Sequence, residues 1–171
     1  MKIVQNSIKQ LNNMINGVLE LAMLSSENLS KSYFSPSLVI DKIIENYGHD
    51  TTIQIESNIK FEKMFGFELL FRQIFENLIS NAVKHNDKPL KMITVVGSKS
   101  EKNFRFLVMD NGPGISKEYE DQIFKLFSTL TTKSEANTGV GLALVKKSLE
   151  IWGGEIKLKK NEDLKYGTCF V

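Results

Sequence analysis

The order of the apolar patterns predicts an α+β protein, a two-layer α/β sandwich in which helices cover one face of a mainly antiparallel sheet. Three observations support this prediction. Residues 67–86 carry apolar side chains at the spacing of one long, core-facing helix. Residues 91–97 and 104–109 are strand-like runs separated by a polar turn, which is typical of a hairpin. Residues 139–151 begin with glycines and continue with apolar residues at helical spacing.

Shorter patterns predict the remaining elements. Residues 38–47 fit a helix with one apolar face. Residues 51–57 alternate isoleucines with polar residues, as a half-buried strand does. Residues 116–125 fit a short helix, and we expect two strands to close the chain after residue 152.

The N-terminal residues have a separate pattern that is typical of a coiled coil. Their apolar positions alternate in spacing between four and three, at Val4, Ile8, Leu11, Ile15, Val18 and Ala22. Gly17 interrupts this helix at a cost of about 1 kcal/mol relative to Ala. A lone helix cannot bury such a stripe, so it needs a partner helix or packs onto the chain's own globular part. We therefore divide the chain into a helix (1–26), a Ser- and Asn-rich linker (27–37) and the main domain (38–171).

Composition excludes several classes of function. The chain has 171 residues, 42% hydrophobic and 25% charged, which suits a globular domain with a core. A net charge of +2 without a long basic block argues against a nucleic-acid partner. The single Cys169 excludes an internal disulfide and a cysteine-rich metal site. We find no apolar run of about 20 residues that could span a membrane, and expect a cytoplasmic location.

Asp110 is the first candidate binding residue. It follows the strand-like run 104–109 and precedes Gly112 and Gly114. A carboxylate at the end of a buried strand can accept a hydrogen bond from a ligand's amine, and glycines let that ligand approach the backbone closely. Ordinary turns use the same residues, so this short motif does not decide the function alone.

Two asparagines interrupt the apolar stripe of the long helix. Asn77 and Asn81 are four residues apart and share one face, with Lys84 and His85 one turn further on. An interior Asn costs a helix roughly 0.5–0.7 kcal/mol relative to Ala. The pattern suggests a polar groove, with amide oxygens for a hard cation and an ammonium group for phosphate. The alternative is two solvated asparagines on an exposed face.

Residues 138–142, Thr-Gly-Val-Gly-Leu, form the third candidate segment. Unhindered amides at a helix N-terminus favour anions, and a nucleotide phosphate is a natural ligand. The segment lacks the Lys-Ser/Thr of a Walker loop and the third glycine of a dinucleotide-binding fingerprint. Taken alone, a structural helix that begins with glycines explains it equally well.

Together these segments resemble the ATP-binding domain, of Bergerat-type fold, that sensor histidine kinases share with type II topoisomerases, Hsp90-type chaperones and mismatch-repair ATPases. The similarity to histidine kinases is the most detailed. Residues 75–85 resemble their asparagine box, 110–115 and 138–142 their two glycine boxes, and 123–127 the phenylalanine box of their mobile lid. Residues 10–22 are similar to the second helix of their dimerisation hairpin.

The resemblance implies ATP and Mg²⁺ as ligands and assigns a role to several residues. Asp110 would accept a hydrogen bond from the adenine amine, with Gly114 letting the base lie flat. Asn81 would ligate Mg²⁺, and Asn77 would contact phosphate or orient a water molecule. Lys84 would neutralise phosphate charge and Lys133, in the lid, would reach the γ-phosphate, so that Asn77 and these two lysines are the implied catalytic residues. The other positions implied for the nucleotide are His85, Gly112, Ile115, Phe127, Thr138, Gly139, Val140, Gly141 and Leu142.

One departure from the wider group favours phosphoryl transfer over hydrolysis. Relatives that hydrolyse ATP carry a water-activating Glu four residues before the metal-binding Asn. Here that residue is Asn77, an amide without basicity, and Glu76 points about 100° away around the helix. Such transfer depends mainly on positioning and charge stabilisation.

The phosphoacceptor histidine would lie on a helix before Met1. We interpret His49 as a surface-loop residue and His85 as a lining or structural residue. The implied partners are therefore a phosphoacceptor helix, from a missing segment or a partner chain, and a response regulator receiver domain. The full protein would be a homodimer, with membrane contact only through sensor segments outside this chain. An ATP-hydrolysing conformational module and a degenerate binding or dimerisation module remain as alternatives.

Overall fold

The computed structural model describes residues 15, 17, 19, 29–128, 139–159 and 167–170. Their helices and strands, in chain order, are β1 (Ser32–Phe34), α1 (Pro36–Glu45), β2 (Ile53–Ile59), β3 (Met64–Gly66), α2 (Glu68–Lys84), β4 (Lys91–Lys99), β5 (Phe104–Asp110), a 3-10 turn (Lys117–Tyr119), α3 (Gly141–Trp152) and β6 (Thr168–Phe170).

The main sheet has four strands in the order β2-β4-β5-β6. The β4–β5 and β5–β6 pairs are antiparallel, whereas β2 and β4 are parallel. A parallel pair needs a crossover connection, and α2 lies in the connection between β2 and β4. Leu158 forms an isolated antiparallel bridge with Phe170 beside β6. The predicted hairpin and the mainly antiparallel sheet are confirmed.

Helix α2 supplies the centre of the core. Its buried residues recur at the predicted helical spacing and are Leu70, Phe71, Ile74, Phe75, Leu78, Ile79 and Ala82. All of them except Leu70 pack in one cluster with Ile93, Val95 and Val108 of the sheet and with Val145 of α3. Leu70 packs instead in a smaller buried cluster on the α3 side. Along β4 the buried positions alternate with partly exposed ones, as expected for a strand with one covered face. This arrangement confirms the predicted two-layer sandwich.

A small two-stranded ribbon was not predicted from the sequence. Ser32–Phe34, within the segment interpreted as a linker, pairs antiparallel with Met64–Gly66. Phe34 is buried, and its ring packs edge-on against Phe71 at a centroid distance of 5.2 Å. A three-residue strand is too short to show an alternating pattern, so the sequence carried no signal for this ribbon.

The short helix predicted for residues 116–125 is wrong in its type and length. Only Lys117–Tyr119 is helical, in the 3-10 form, and turns follow. The amides of Tyr119 and Gln122 donate to the carbonyl groups three residues earlier, which is the tighter 3-10 pattern. Ile123 is buried in the main core and anchors the segment. A short helix is marginal by itself, so this tertiary contact decides its form.

The N-terminal helix is described at three positions. Ile15, Gly17 and Leu19 are helical, and Gly17 is buried. The other apolar positions of the predicted coiled-coil stripe lie outside the described residues, so the proposed division of the chain stays a prediction. Within the described part of the chain, no helix combines the length and the apolar character that a membrane span requires.

Candidate functional site

Asp110 lies at the end of β5, opposite Thr168 of β6, and is only 8% exposed. Its Oδ1 atom accepts a hydrogen bond from the Gly112 amide at 2.8 Å. The backbone and side chain of Thr168 also donate to this carboxyl group. Burial nevertheless raises the pKa of Asp110, because desolvation outweighs these hydrogen bonds. The structure thus has a buried carboxyl group at the end of β5, and its contact with a ligand's amine remains a prediction.

The glycines after Asp110 allow two backbone segments to approach each other. Gly114 has a φ of 78°, and a Cβ atom added there would lie 2.6 Å from the Gly167 carbonyl oxygen. A Cβ atom on Gly167 would overlap the backbone of Gly112. Ile115 packs against the main core. These glycines therefore have a structural function, and their predicted contact with a nucleotide remains a prediction.

A network of side-chain amides lies next to Asp110 and was not predicted from the sequence. Asn86 Nδ2 donates to Asn111 Oδ1 at 2.7 Å, and the Met92 amide donates to the same oxygen at 2.9 Å. Asn111 Nδ2 donates in turn to the Leu90 carbonyl at 3.0 Å. Asn86 is buried and accepts from the Lys88 amide. This network joins the loop after α2 to the turn that carries Asp110.

Asn77 and Asn81 lie beside the N-terminus of α3. Asn77 Nδ2 donates to the Gln73 carbonyl at 2.9 Å. A Cβ atom added to Gly141 would lie 2.7 Å from Asn77 Oδ1 and 3.8 Å from Asn81 Nδ2. Both asparagines are partly buried, so the alternative of two solvated amides on an exposed face does not fit. A side chain at position 141 would therefore displace the Asn77 amide from the N-terminus of α3.

Two features of the first turn of α3 favour the binding of an anion. Its N-cap residue, Val140, makes no side-chain capping bond, and the first turn contains no acidic residue. Within the described part of the chain, no side chain therefore caps the first amides of this helix. Val140 itself is 2% exposed and Leu142 packs against the main core, so both side chains serve packing. Only their backbone groups remain candidates for contact with a ligand.

Gly139 connects this turn to the end of the lid segment. Its carbonyl accepts a hydrogen bond from the Phe127 amide at 2.8 Å. Gly139 has a φ of 65°, and a Cβ atom added there would lie 2.6 Å from the Phe127 carbonyl carbon. Phe127 is also in the left-handed region, with a φ of 63°, and is 51% exposed. Lys133, predicted to lie in the lid, and Thr138, predicted to begin the second glycine box, lie outside the described residues.

Lys84 and His85 lie where α2 ends. Lys84 is exposed, and the His85 amide donates to the Asn81 carbonyl as the helix C-cap. Burial of the His85 ring, followed by the nearby charge of Lys84, lowers the pKa of His85. His49 is exposed, in agreement with its interpretation as a surface-loop residue.

The candidate residues form two clusters, one on α2 and one just beyond its C-terminal end. Asn77 and Asn81 lie beside Gly141, about two turns and one turn before the C-cap, whereas Asn86 packs against Gly112 near Asp110. The rise from residue 77 to residue 85 is about 12 Å at 1.5 Å per residue. An elongated ligand with an anionic end could therefore contact both clusters.

Residues 66–171 match the family described as Histidine kinase-, DNA gyrase B-, and HSP90-like ATPase. The chain belongs to this family. Phytochrome-like protein Cph1 of Synechocystis sp. is 28% identical over 158 residues, which cover 90% of this chain and 21% of that protein. Sensor protein SrrB of Staphylococcus aureus is 28% identical over 178 residues, covering 99% of this chain and 30% of that protein. The chain thus spans between a fifth and a third of these curated relatives.

Solved structures of histidine kinases have the same fold as this chain. The Acinetobacter baumannii histidine kinase AdeS has a TM-score of 0.77 at 20% identity and covers 99% of this chain and 80% of its own. Full-length ShkA, solved in complex with AMPPNP, has a TM-score of 0.78 at 24% identity, covering 99% of this chain and 36% of its own. The ATP-binding domain of histidine kinases is thus the fold of this chain.

Within this ATPase domain, two features of the site were not predicted. Thr168 was assigned to a closing strand without a role in the site, although Gly167 directly before it marks a close backbone approach. Asn86 and Asn111 were not singled out, because their pairing spans 25 positions and leaves no local pattern. The described residues contain no group of three or more His, Cys, Asp or Glu side chains that could hold a metal.

Proposed function

We propose that this chain binds Mg-ATP and transfers the γ-phosphoryl group to a histidine on a dimerisation hairpin in two-component signalling. The observation that carries the proposal is the packing of Asn77 and Asn81 against Gly141 at the uncapped start of α3. The two side-chain amides thus lie next to helix amides that no described side chain caps, which supports a site for phosphate and a metal ion.

The base end of the nucleotide would bind at Asp110. Its carboxylate is buried, and buried charges form strong hydrogen bonds with suitable donors. An adenine amine supplies such a donor, and a guanine carbonyl at that position would not. Gly114 leaves the nearby backbone without a side chain. Ile115, Gly112 and His85 would complete the surroundings of the base.

The phosphate end would bind at the start of α3. Amides of Gly139, Val140 and Gly141 would donate to phosphate oxygens, with the helix dipole adding a favourable potential. Lys84, at the end of α2, would partly neutralise the negative charge of the phosphates. As the family resemblance implies, Phe127 and Lys133 would contribute from the lid, and Thr138 and Leu142 from the second glycine box. In support, no acidic side chain in the first turn of α3 opposes an anion.

The residues of α2 fit a magnesium ion held jointly with the nucleotide. Mg²⁺ binds oxygen ligands, keeps several waters and typically takes one or two protein ligands together with phosphates. Asn81 would contribute its amide oxygen, and Asn77 a second amide oxygen or an ordered water. The Asn77 Nδ2 bond to Gln73 leaves Asn77 Oδ1 on the Gly141 side. The ion would reduce the charge repulsion between phosphates.

Transfer is favoured over hydrolysis by the side chains of α2. Asn77 has no basicity and cannot activate water as a carboxylate does. Burial of Tyr47 raises its pKa, and the charge of the exposed Glu76 adds to this effect, against the hydrogen bond with Ser80. The Glu76 charge therefore acts on the side of α2 that faces Tyr47, just after α1. The acceptor would therefore be a histidine imidazole delivered by a phosphoacceptor helix.

The partners follow from the proposed reaction. One solved neighbour is the histidine kinase ThkA in complex with response regulator protein TrrA. We propose a response regulator receiver domain as the final phosphoryl acceptor, and a homodimer as the form of the full protein. The catalytic part would act in the cytoplasm, with any membrane anchor supplied by sensor segments outside this chain.

The test supplies the chain with radiolabelled ATP, Mg²⁺ and a dimerisation hairpin that carries a phosphoacceptor histidine. We expect acid-labile, base-stable label on the hairpin and none on this chain alone. Label on the isolated chain that disappears in His49→Ala or His85→Ala would contradict the proposed reaction. Steady hydrolysis without a hairpin would instead support the ATP-hydrolysing alternative, and absence of nucleotide binding would support the degenerate module.

A further inference from the structure

Gly17 of the N-terminal helix is pressed against Val140. A Cβ atom added to Gly17 would lie 2.6 Å from Val140 Cγ1, 3.0 Å from its Cβ and 3.3 Å from its Cγ2. Gly17 is buried and Val140 is 2% exposed. Glycine is a poor helix former, and this contact gives it a function because any side chain would collide there.

Val140 has little freedom to move away from a larger residue. It is β-branched, and it packs in a buried cluster with Leu70 and Leu144. Its neighbour Gly139 has a φ of 65° and packs on the Phe127 backbone, while Gly141 abuts Asn77. A side chain at position 17 would therefore displace either the helix or the whole 139–141 turn.

The opposite face of the same helix is much more exposed to solvent than the Gly17 face. Ile15 and Leu19 are both 55% exposed. At 100° per residue, each lies about 200° from Gly17 around the helix. The helix thus docks through its glycine face and leaves the apolar face of Ile15 and Leu19 in solvent.

We propose that Gly17 is the docking point through which the N-terminal helix holds Val140 and pre-orders the 139–141 amides for nucleotide phosphates. This inference rests on the proposed function, since it assigns those amides to phosphate. Ordering a binding turn in advance lowers the entropic cost of binding. The coupling is reciprocal, so bound nucleotide must strengthen docking of the helix by the same factor. Position 17 would then link movements of the helix to ATP affinity.

The first measurement follows docking without nucleotide. Amide hydrogen exchange is compared between the wild-type chain and Gly17→Ala in peptides that cover the N-terminal helix and the first turn of α3. We expect faster exchange in both peptides of the variant, even though alanine is the better helix former. Leu19→Ala truncates an exposed side chain of the same helix and should leave the α3 peptide unchanged. Unchanged exchange in Gly17→Ala would show that the contact is not occupied in solution.

The second measurement is ATP affinity by calorimetry. Gly17→Ala should weaken binding about fivefold or more. Adding Val140→Ala removes the two methyl groups nearest the new Cβ and should recover part of this loss. Gly48→Ala is a matched control, since a Cβ there would meet only the Glu45 carbonyl at 3.5 Å. Faster exchange in Gly17→Ala with unchanged ATP affinity would overturn the coupling. A wild-type chain that binds no ATP would instead overturn the proposed function, and the exchange data would still decide whether the helix docks.

Discussion

Asn86 and Asn111 are joined by a direct hydrogen bond of 2.7 Å between their side-chain amides. Asn86 comes two residues after the end of α2, and Asn111 comes directly after Asp110. The bond thus connects the helix that carries Asn77 and Asn81 with the turn that carries the buried carboxylate. The distance between the two ends of the candidate site depends on this pair.

Asn111→Leu should lower the free energy of unfolding by about 0.5–1.5 kcal/mol, the usual net contribution of a hydrogen bond that is not fully buried. The substitution keeps a similar volume but removes the acceptor for Asn86 Nδ2 and the donor to the Leu90 carbonyl. Urea unfolding measures the change, with exposed Asn58→Leu as the control. In a double-mutant cycle with Asn86→Ala the two losses should not add, and full additivity would show that the pair is not coupled.

Asp110→Asn should weaken ATP binding by roughly 1.5–3 kcal/mol, as for loss of a charge-assisted hydrogen bond. The amide can also present a donor to the adenine amine, which is itself a donor. Calorimetry at neutral pH measures the loss. Asp41→Asn, an exposed carboxylate on α1 that accepts from Ser57, is the control. An unchanged affinity in Asp110→Asn would remove this residue from recognition of the base.

The same residue should carry a pH dependence of stability. Because burial raises the pKa of Asp110, the folded chain binds this proton more tightly than the unfolded chain does. Its contribution to stability is therefore most favourable below the ordinary Asp pKa and declines as the pH rises through the raised value. Asp110→Asn cannot titrate and lacks this decline.

Denaturant unfolding between acidic and neutral pH tests that expectation. The free energy of unfolding of Asp110→Asn should rise relative to that of the wild type as the pH increases through this window. A difference that stays constant with pH would mean that Asp110 has the same pKa in the folded and unfolded chains.

The parts of this fold that could be predicted have strong local patterns. Helix α2 is long and periodic, and the β4–β5 hairpin alternates over many residues, so both were placed to within a few residues. The β1–β3 ribbon and the turns after Ser116 were not, because tertiary contacts of Phe34 and Ile123 decide them. Contacts between residues that are distant in the chain leave no local sequence pattern from which they could be predicted.

The candidate site divides in the same way. Asp110, Asn77, Asn81 and Gly141 belong to short motifs and could be found from their spacing. Thr168 and the Asn86–Asn111 pair act across strands or loops that are distant in sequence. Val140 was expected to contact the nucleotide, but burial of its side chain leaves only its backbone for that purpose.

Asn81→Ala should abolish Mg²⁺-dependent transfer to a supplied hairpin while leaving metal-free nucleotide binding largely intact. The reason is that the amide oxygen proposed for the cation lies on α2, whereas the base is proposed to bind at Asp110. Transfer is followed by radiolabel, and binding by a fluorescent nucleotide in the presence of a chelator. Asn46→Ala, an exposed position after α1, is the control. Full transfer by Asn81→Ala would mean that other groups hold the cation.

Ile15→Asp should prevent self-association of the chain without changing its ATP affinity. Ile15 and Leu19 expose apolar side chains on the face opposite Gly17, and such a stripe favours pairing with another helix. Sedimentation of the wild-type chain should show a dimer that grows with concentration, and Ile15→Asp should stay monomeric because its charge opposes burial. Gly48→Ala, remote in sequence from this helix, should dimerise as the wild type does. A wild-type chain that stays monomeric at high concentration would show that the Ile15 face does not pair, and that the helix contacts only its own domain through Gly17.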